Sequence, residues 1–219
     1  MKLLAVNGSP RKKHNTGLLL QQVVEGATTA GAEAELVHLR ALEPYTGCIS
    51  CFACKDATGK SYGRCAVKDG LQPLLDKAHA ADILILGSPF YFSSETAFMR
   101  ALMERLFFQY YLYTAKRPPL SPRKKATALL YTMNVRAEDI PQYGKQASID
   151  ISKGVMEALF APCEVFLCCD TKQFDDYSRY EVDVWDVPAK LKRHEDVFPK
   201  DLARAFALGE RLVKSEGKI

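Results

Sequence analysis

The chain has 219 residues, a length that suits one α/β domain with a large core. Its hydrophobic content of 47% argues against overall disorder, and no run of about 18 apolar residues predicts a membrane span. The net charge of +4 is mild, and charges of both signs alternate, which argues against nucleic-acid binding. Because no signal-peptide pattern opens the sequence, we expect a cytoplasmic protein.

The chain opens on a strand, a polar loop and a helix. Residues 2–7 form the apolar run of a buried parallel strand, and from Leu18 apolar residues recur on one helical face. The intervening loop, residues 8–17, has neither the lysine after Gly17 of a Walker loop nor the spacing of a dinucleotide fingerprint. It is nevertheless rich in hydroxyl, amide and guanidinium groups.

These groups predict an anion site at the start of the helix. Free amides and the positive end of the helix dipole attract phosphate, hydroxyls and amides add donors, and a guanidinium adds a charged fork. For Asn15 or Thr16 alone, an ordinary helix cap is the alternative. The candidate phosphate ligands are Ser9, Arg11, Asn15, Thr16 and Gly17.

The rest of the chain alternates between apolar strands and amphipathic helices. We predict strands over residues 34–39, 83–87, 125–131 and 163–168 or 165–168, and helices over 71–78, with Asp69 as cap, 97–110, 148–160 and 200–214. Buried strands between such helices predict an α/β fold, a doubly wound five-stranded parallel sheet with helices on both faces. The order 2-1-3-4-5 would place the loops after strands one and three beside the switch point, where ligands bind.

An aromatic loop, residues 88–94, follows the third strand. Pro89, Phe90, Tyr91 and Phe92 could wall a flat apolar ring there, because loops lie at the surface. The alternative assigns the aromatic residues to the core, and it is preferred for those inside the following helix. A third loop, residues 132–136, follows the fourth strand.

A cysteine loop at about residues 44–68 carries four thiols. Cys48, Cys51 and Cys54 are spaced C-x2-C-x2-C, and Cys65 follows after ten more residues. Compact thiolate runs hold iron-sulfur clusters or zinc, and reduced metal-free thiols are the further alternative. The three late cysteines read as small buried hydrophobes: Cys163, Cys168 and Cys169.

The order of these motifs resembles the flavodoxin-like NAD(P)H-dependent FMN reductases and iron-sulfur flavoproteins. The strings are G-S-P-R with N-T-x-x-L-L, S-P-x-Y-x-x-S, the cysteine run, and V-F-P before the last helix. The resemblance implies that Ser9, Arg11, Asn15 and Thr16 hold the phosphate of FMN. It also implies contacts with the ribityl chain and ring of FMN, made by Ser88, Pro89, Phe90, Tyr91, Phe92 and Ser93. Contacts with the pyrimidine side of the ring are implied for Thr132 and Asn134.

The same resemblance implies a tentative 4Fe-4S cluster on Cys48, Cys51, Cys54 and Cys65. The gap before Cys65 is longer than that branch usually has. The implied activity is that of an FMN-dependent oxidoreductase, which takes hydride from NADH or NADPH and passes electrons to a small-molecule or redox-protein acceptor. No side chain is assigned as catalytic. The alternatives are an electron carrier without a nicotinamide site and a flavin-binding sensor.

We expect a single domain over residues 1–219 that assembles as a homodimer or homotetramer. Five aromatic residues between 107 and 113 cannot all lie on one helical face, and an extended C-terminal segment at about residues 170–199 carries further aromatic residues, among them Trp185. Related flavoproteins commonly place the flavin near a subunit interface. The alternative is that the C-terminal segment covers its own sheet edge.

Overall fold

The apolar runs of the sequence form the strands of one sheet in the structure, a computed structural model that describes residues 1–114, 116–160 and 162–216. The predicted domain also includes residues 115, 161 and 217–219, which lie outside the described residues. The strands are β1 (Lys2–Asn7), β2 (Glu33–His38), β3 (Ile83–Tyr91), β4 (Ser94–Glu95), β5 (Ala126–Thr132) and β6 (Cys163–Cys168). The helices are α1 (Asn15–Thr29), α2 (Gln72–Ala80), α3 (Ala97–Tyr110), α4 (Lys145–Leu159), α5 (Val187–Asp196) and α6 (Phe198–Glu216).

The five long strands are parallel and follow the order β2-β1-β3-β5-β6. The predicted flavodoxin-like order is therefore confirmed, since β4 is an additional two-residue strand beside β3. Alternate residues of each strand point to opposite faces, so the sheet has two cores. Leu4 and Leu84 pack on the side of α2, α3 and α4, whereas Ala5 and Ile85 pack on the side of α1 and α6. Within the described residues, no helix combines the length and hydropathy needed to span a bilayer.

The prediction that the aromatic segment, residues 88–94, forms a loop is wrong. Strand β3 continues through Tyr91, pairing with β5 as far as Thr132, and then turns back into β4. The turn consists of Phe92 and Ser93, whose φ values of 48° and 63° fit a two-residue hairpin turn with both central residues left-handed. A proline such as Pro89 is expected to interrupt a strand, but the carboxyl end of β3 accommodates a residue without a backbone N–H.

Two other boundaries differ from the sequence-based expectations. Helix α2 has Leu71 at its N-cap, and Asp69 instead accepts hydrogen bonds from the backbone N–H groups of Thr46 and Leu71 and pairs with Arg105. The C-terminal segment, residues 170–199, contains α5 and the start of α6, so it is largely ordered structure. The Asp69 difference arises from tertiary contacts, whereas α5 has a local signal, because the side chain of Asp186 accepts from the backbone N–H of Ala189 and a proline lies in the first turn.

Helices α1 and α6 cross at two glycines. A β-carbon on Gly26 would lie 2.0 Å from the carbonyl oxygen of Phe206, and one on Gly209 would lie 2.0 Å from that of Val23. Both distances are far below van der Waals contact, so this close backbone approach requires glycine on each helix.

We predict that Gly209→Ala lowers the free energy of unfolding by about 1–3 kcal/mol, because the new methyl group forces the two helices apart. Urea denaturation measures the change. The control is Gly154→Ala on α4, where a β-carbon would meet nothing within 4 Å and should stabilise the helix by up to about 1 kcal/mol. Equal stability of Gly209→Ala and the unaltered protein would contradict the close packing.

Candidate functional site

A cavity opens at the carboxyl ends of β1, β3 and β5, which is the switch point of the sheet. Its empty space, which is open to solvent, is about 810 Å³. We call it the switch-point cavity. Its lining includes ten predicted ligands: Ser9, Arg11, Asn15, Thr16, Pro89, Phe90, Tyr91, Phe92, Thr132 and Asn134. The loops after β1, β3 and β5 thus meet around one space, while the role of these residues as flavin ligands stays a prediction.

The phosphate-loop end of the cavity is built from backbone amides. Helix α1 begins at Asn15 without a side-chain cap, and the first amides of a helix have no intrahelical acceptor. Gly17 does not line the cavity, but its role is clear, because a β-carbon there would lie 1.8 Å from the carbonyl oxygen of Lys12. Glycine therefore lets the loop fold back over the first turn of the helix, leaving its amides to face an anion.

Two of the predicted phosphate ligands also hold the C-terminal segment. Arg11 Nη1 donates to the carbonyl oxygen of Gln173 at 2.8 Å, and Asn15 Nδ2 donates to that of Lys172 at 2.9 Å. His14 lines the same end, and burial together with the nearby Arg11 charge lowers its pKa. The histidine is therefore neutral near pH 7, and Arg11 supplies positive charge to this end of the cavity.

The opposite end of the cavity carries aromatic groups. Phe90 is buried and packs edge-on against Tyr131, with ring centroids 4.8 Å apart. Phe92 is fully exposed at the tip of the hairpin, at 104% of its reference area, and Tyr91 is also exposed. Trp185 of the C-terminal segment faces the same cavity. An apolar planar ring could therefore find aromatic contacts on more than one side.

Five lining residues were not among the predicted ligands: His14, Met133, Thr171, Gln173 and Trp185. Thr171 and Gln173 enter from the C-terminal segment. Thr171 is held by hydrogen bonds of its backbone N–H (3.1 Å) and its hydroxyl (3.2 Å) to the carbonyl oxygen of Met133. Only the irregular length and aromatic content of that segment hinted at a functional role.

Two predicted ligands point away from the cavity. The hydroxyl of Ser88 accepts from the backbone N–H of Thr96 at 3.1 Å and donates to the carbonyl oxygen of Pro89. The hydroxyl of Ser93 donates to the carbonyl oxygen of Tyr143 and accepts from Lys145 Nζ at 3.2 Å. Both serines fix the hairpin instead of lining the space beside it.

A buried carboxylate lies beneath the hairpin. Glu95 Oε1 accepts from the hydroxyls of Tyr131 at 2.5 Å and Ser152 at 2.8 Å. Burial alone would raise the pKa of Glu95, but these hydrogen bonds outweigh it and lower the pKa. The same burial and the adjacent carboxylate raise the pKa of Tyr131. The ionised carboxylate therefore ties β4 to β5 and α4.

The four cysteines of the cysteine loop line one small pocket, which we call the cysteine pocket. Burial is the main cause of a raised pKa at Cys54, and the other three thiols lie close enough to contribute to that shift. In the part of the chain that the structure describes, no group of three or more His, Cys, Asp or Glu side chains is arranged to hold a metal ion. The pocket thus collects the predicted ligands, and metal binding there stays a prediction.

The late cysteines have no role in either site. Cys163 and Cys168 are buried in the sheet, as predicted for small hydrophobes, and Cys169 is half-buried. Burial raises the pKa of Cys168 to about 12 and that of Cys169 to about 11. Both thiols are therefore protonated and unreactive near neutral pH.

A doubly wound sheet with this order, with a polar loop after β1 and an aromatic hairpin after β3 at its switch point, is a flavodoxin-like fold. Residues 1–142 match the model of the family described as NADPH-dependent FMN reductase, and the chain belongs to this family. The family predicted from the motifs is thereby confirmed.

Two curated relatives carry the name iron-sulfur flavoprotein. The one from Archaeoglobus fulgidus is 39% identical over 105 residues, which is 48% of each chain. The one from Methanocaldococcus jannaschii is 36% identical over 107 residues, 48% of this chain and 51% of the relative. The matches therefore span about half the length of these relatives.

Solved structures with the same fold share little sequence with this chain. The NAD(P)H:quinone oxidoreductase from Methanothermobacter marburgensis has a TM-score of 0.72 at 14% identity, covering 97% of this chain and 98% of that one. An azoreductase from Bacillus anthracis has a TM-score of 0.67 at 15% identity, covering 96% and 99%. At such identities the likeness establishes the fold alone.

We predict that Arg11→Ala weakens FMN binding by about 2 kcal/mol, or about thirtyfold, because a phosphate dianion loses a charge-assisted donor. Fluorescence titration of the apoprotein with FMN measures the change. Lys13→Ala is the matched control, since Lys13 is an exposed cation of the same loop and its removal changes the net charge equally. Equal losses in both variants would reduce the role of Arg11 to general electrostatics.

Proposed function

We propose that the chain is an FMN-dependent oxidoreductase that takes hydride from NADH or NADPH and passes electrons to a small-molecule or redox-protein acceptor. The observation that carries this proposal is the switch-point cavity, which joins an uncapped helix N-terminus to an aromatic end. FMN has the same polarity along its length, with a phosphate at one end and an apolar ring at the other. Family membership supports the same cofactor.

The residues of this chain would bind, orient and shield FMN. The α1 amides with Ser9, Arg11 and Asn15 would hold its phosphate, and the hairpin with Trp185 would flank its ring. When bound, FMN supplies the hydride and electron chemistry, so no side chain needs to act as an acid or base. The hydrogen bond from Arg11 to the carbonyl oxygen of Gln173 would keep the C-terminal segment over the cofactor and exclude water.

We further propose that Cys48, Cys51, Cys54 and Cys65 hold a 4Fe-4S cluster. All four thiols line the cysteine pocket, and two curated relatives carry the name iron-sulfur flavoprotein. The pocket also contains the buried side-chain amide of Gln109, whose Nε2 has no hydrogen-bond partner among the described residues. A sulfur-rich centre would supply that missing acceptor.

Anaerobically purified protein is expected to show flavin absorption and about four irons per chain. Rapid mixing with NADPH, and separately with NADH, should bleach the visible absorption of the flavin. Bound flavin that neither nucleotide bleaches would favour the electron carrier. Bleaching without turnover on quinones, oxygen or ferredoxin would favour the sensor. Absence of iron from this preparation would contradict the cluster proposal and leave the flavin proposal intact.

We also propose that the protein is a homodimer or homotetramer whose subunits meet near the switch-point cavity. Exposed apolar side chains line the cavity, namely Tyr91 and Phe92, and the adjacent pocket that shares Trp185 with it, namely Tyr143 and Val184. Such a concentration of exposed apolar groups at one end of a domain is typical of an interaction surface. A partner subunit there would also limit the access of water to the cofactor.

Sedimentation at micromolar concentration is expected to give a multiple of the 24.4 kDa chain mass. Trp185→Ala should weaken FMN binding or the assembly, because Trp185 faces the cavity and packs over Lys190. Trp185→Phe serves as the control that retains an aromatic ring. A single monomeric species would end the assembly proposal, and an unchanged Trp185→Ala variant would show that the C-terminal segment only covers its own core.

A further inference from the structure

Helix α3 holds the cysteine loop along one of its faces. Glu104 Oε2 accepts from the backbone N–H of Cys48 at 3.1 Å, and Gln109 Oε1 accepts from that of Cys65 at 3.0 Å. Arg105 and Phe108 lie between them and line the cysteine pocket. The four positions occupy adjacent places on one side of a helix. The first and last predicted ligand cysteines are therefore attached to the same rigid element.

Arg105 is the buried cation of this face. Its side chain is 0% exposed, and Nε donates to Cys65 Sγ at 3.3 Å. The guanidinium also donates to the carboxylate of Asp69 at 2.7 Å and to the carbonyl oxygen of Val67 at 2.8 Å. A buried guanidinium is tolerated only with such partners. Three acceptors in the short stretch 65–69 thus fix its plane against the sulfur atom.

The charge of this pair is maintained at neutral pH. Burial alone would raise the pKa of Asp69, but hydrogen bonds from Arg105 and from two backbone N–H groups lower it overall. Asp69 therefore stays ionised and orients the guanidinium, while Nε remains directed at Cys65.

Gln109 contributes a second donor to the pocket. The residue is 2% exposed, and its Oε1 is engaged by the backbone N–H of Cys65, which fixes the orientation of the amide. Its Nε2 has no hydrogen-bond partner in the described ranges, and the residue is part of the pocket lining. A buried donor without an acceptor is destabilising, because its lost hydration is not replaced. A sulfur acceptor in the pocket would satisfy that donor.

We propose that Arg105 and Gln109 are positioning residues for the iron-sulfur centre, with Arg105 donating to the Cys65 thiolate and Gln109 to a further sulfur atom in the pocket. This inference rests on the proposed 4Fe-4S cluster. Uptake of one electron adds negative charge to such a centre, and hydrogen bonds to its sulfur atoms stabilise that charge. The two side chains therefore raise the midpoint potential of the centre.

The test is a redox titration of the anaerobically purified protein with dithionite, in which the reduced cluster is followed by electron paramagnetic resonance. Arg105→Lys retains a cation but loses the planar fork, and Gln109→Leu removes the second donor. Gln109→Glu keeps an acceptor for the backbone N–H of Cys65 while replacing the Nε2 donor. We expect all three variants to have a more negative midpoint potential than the unaltered protein.

Arg100→Lys is the matched control on the same helix. Arg100 is 45% exposed and pairs with Glu95, outside the cysteine pocket, so the cluster potential should not change. Unchanged potentials in the pocket variants at full iron content would overturn the inference and leave the proposed cluster standing. If the unaltered protein contains no iron, both proposals fail together. If Arg105→Lys fails to load iron, the midpoint potentials of the two Gln109 variants decide whether the inference holds.

Discussion

Helix α3 is fixed at both ends by hydrogen bonds to the loops that form the two candidate sites. At its start, the hydroxyl of Thr96 caps the helix and donates to the carbonyl oxygen of Gly8 at 2.7 Å, which ties the helix to the phosphate loop. At its end, Lys55 of the cysteine loop donates to the carbonyl oxygens of Phe108 and Tyr111, and Arg105 holds the fourth cysteine. Because a helix of 14 residues is rigid and about 20 Å long, it sets the spacing between the switch-point cavity and the cysteine pocket.

Buried ionic groups occur beside both sites and act as positioning contacts. Arg105 orients the cysteine loop, and Glu95 ties the hairpin to β5 and α4. Lys190 Nζ is buried between Trp185, the carboxylate of Asp170 and the side-chain oxygen of Asn134. A buried ion pair contributes little net stability, since desolvation offsets its attraction, whereas removing one partner leaves an uncompensated charge. These groups therefore restrict the loops to one arrangement, which is the requirement for binding a rigid cofactor.

The sequence was sufficient for features that depend on neighbouring residues. Strand order and the convergence of the three loops follow from apolar runs and from the rule that ligands bind at the switch point. Contacts made across the chain were not predictable in this way. Arg11 donates to the carbonyl oxygen of Gln173, which is far away in sequence. The carboxylate of Asp69 accepts from Arg105 and does not cap helix α2. The long gap before Cys65 is accommodated because residues 55–64 loop out and the backbone N–H of Gly63 returns to the carbonyl oxygen of Cys54 at 3.0 Å.

Both candidate sites combine exposed aromatic residues with left-handed backbone. At the cysteine pocket, Phe52 packs edge-on against Phe108 with ring centroids 5.7 Å apart, yet it is half exposed, and Ser50 and Phe52 both have positive φ. The switch-point cavity likewise ends in a turn where Phe92 is fully exposed and two consecutive non-glycine residues have positive φ. Such a conformation costs of order 1–3 kcal/mol for each residue and persists where function maintains it. A planar cofactor, an acceptor or a second subunit placed against Phe92 would bury the ring that the turn exposes.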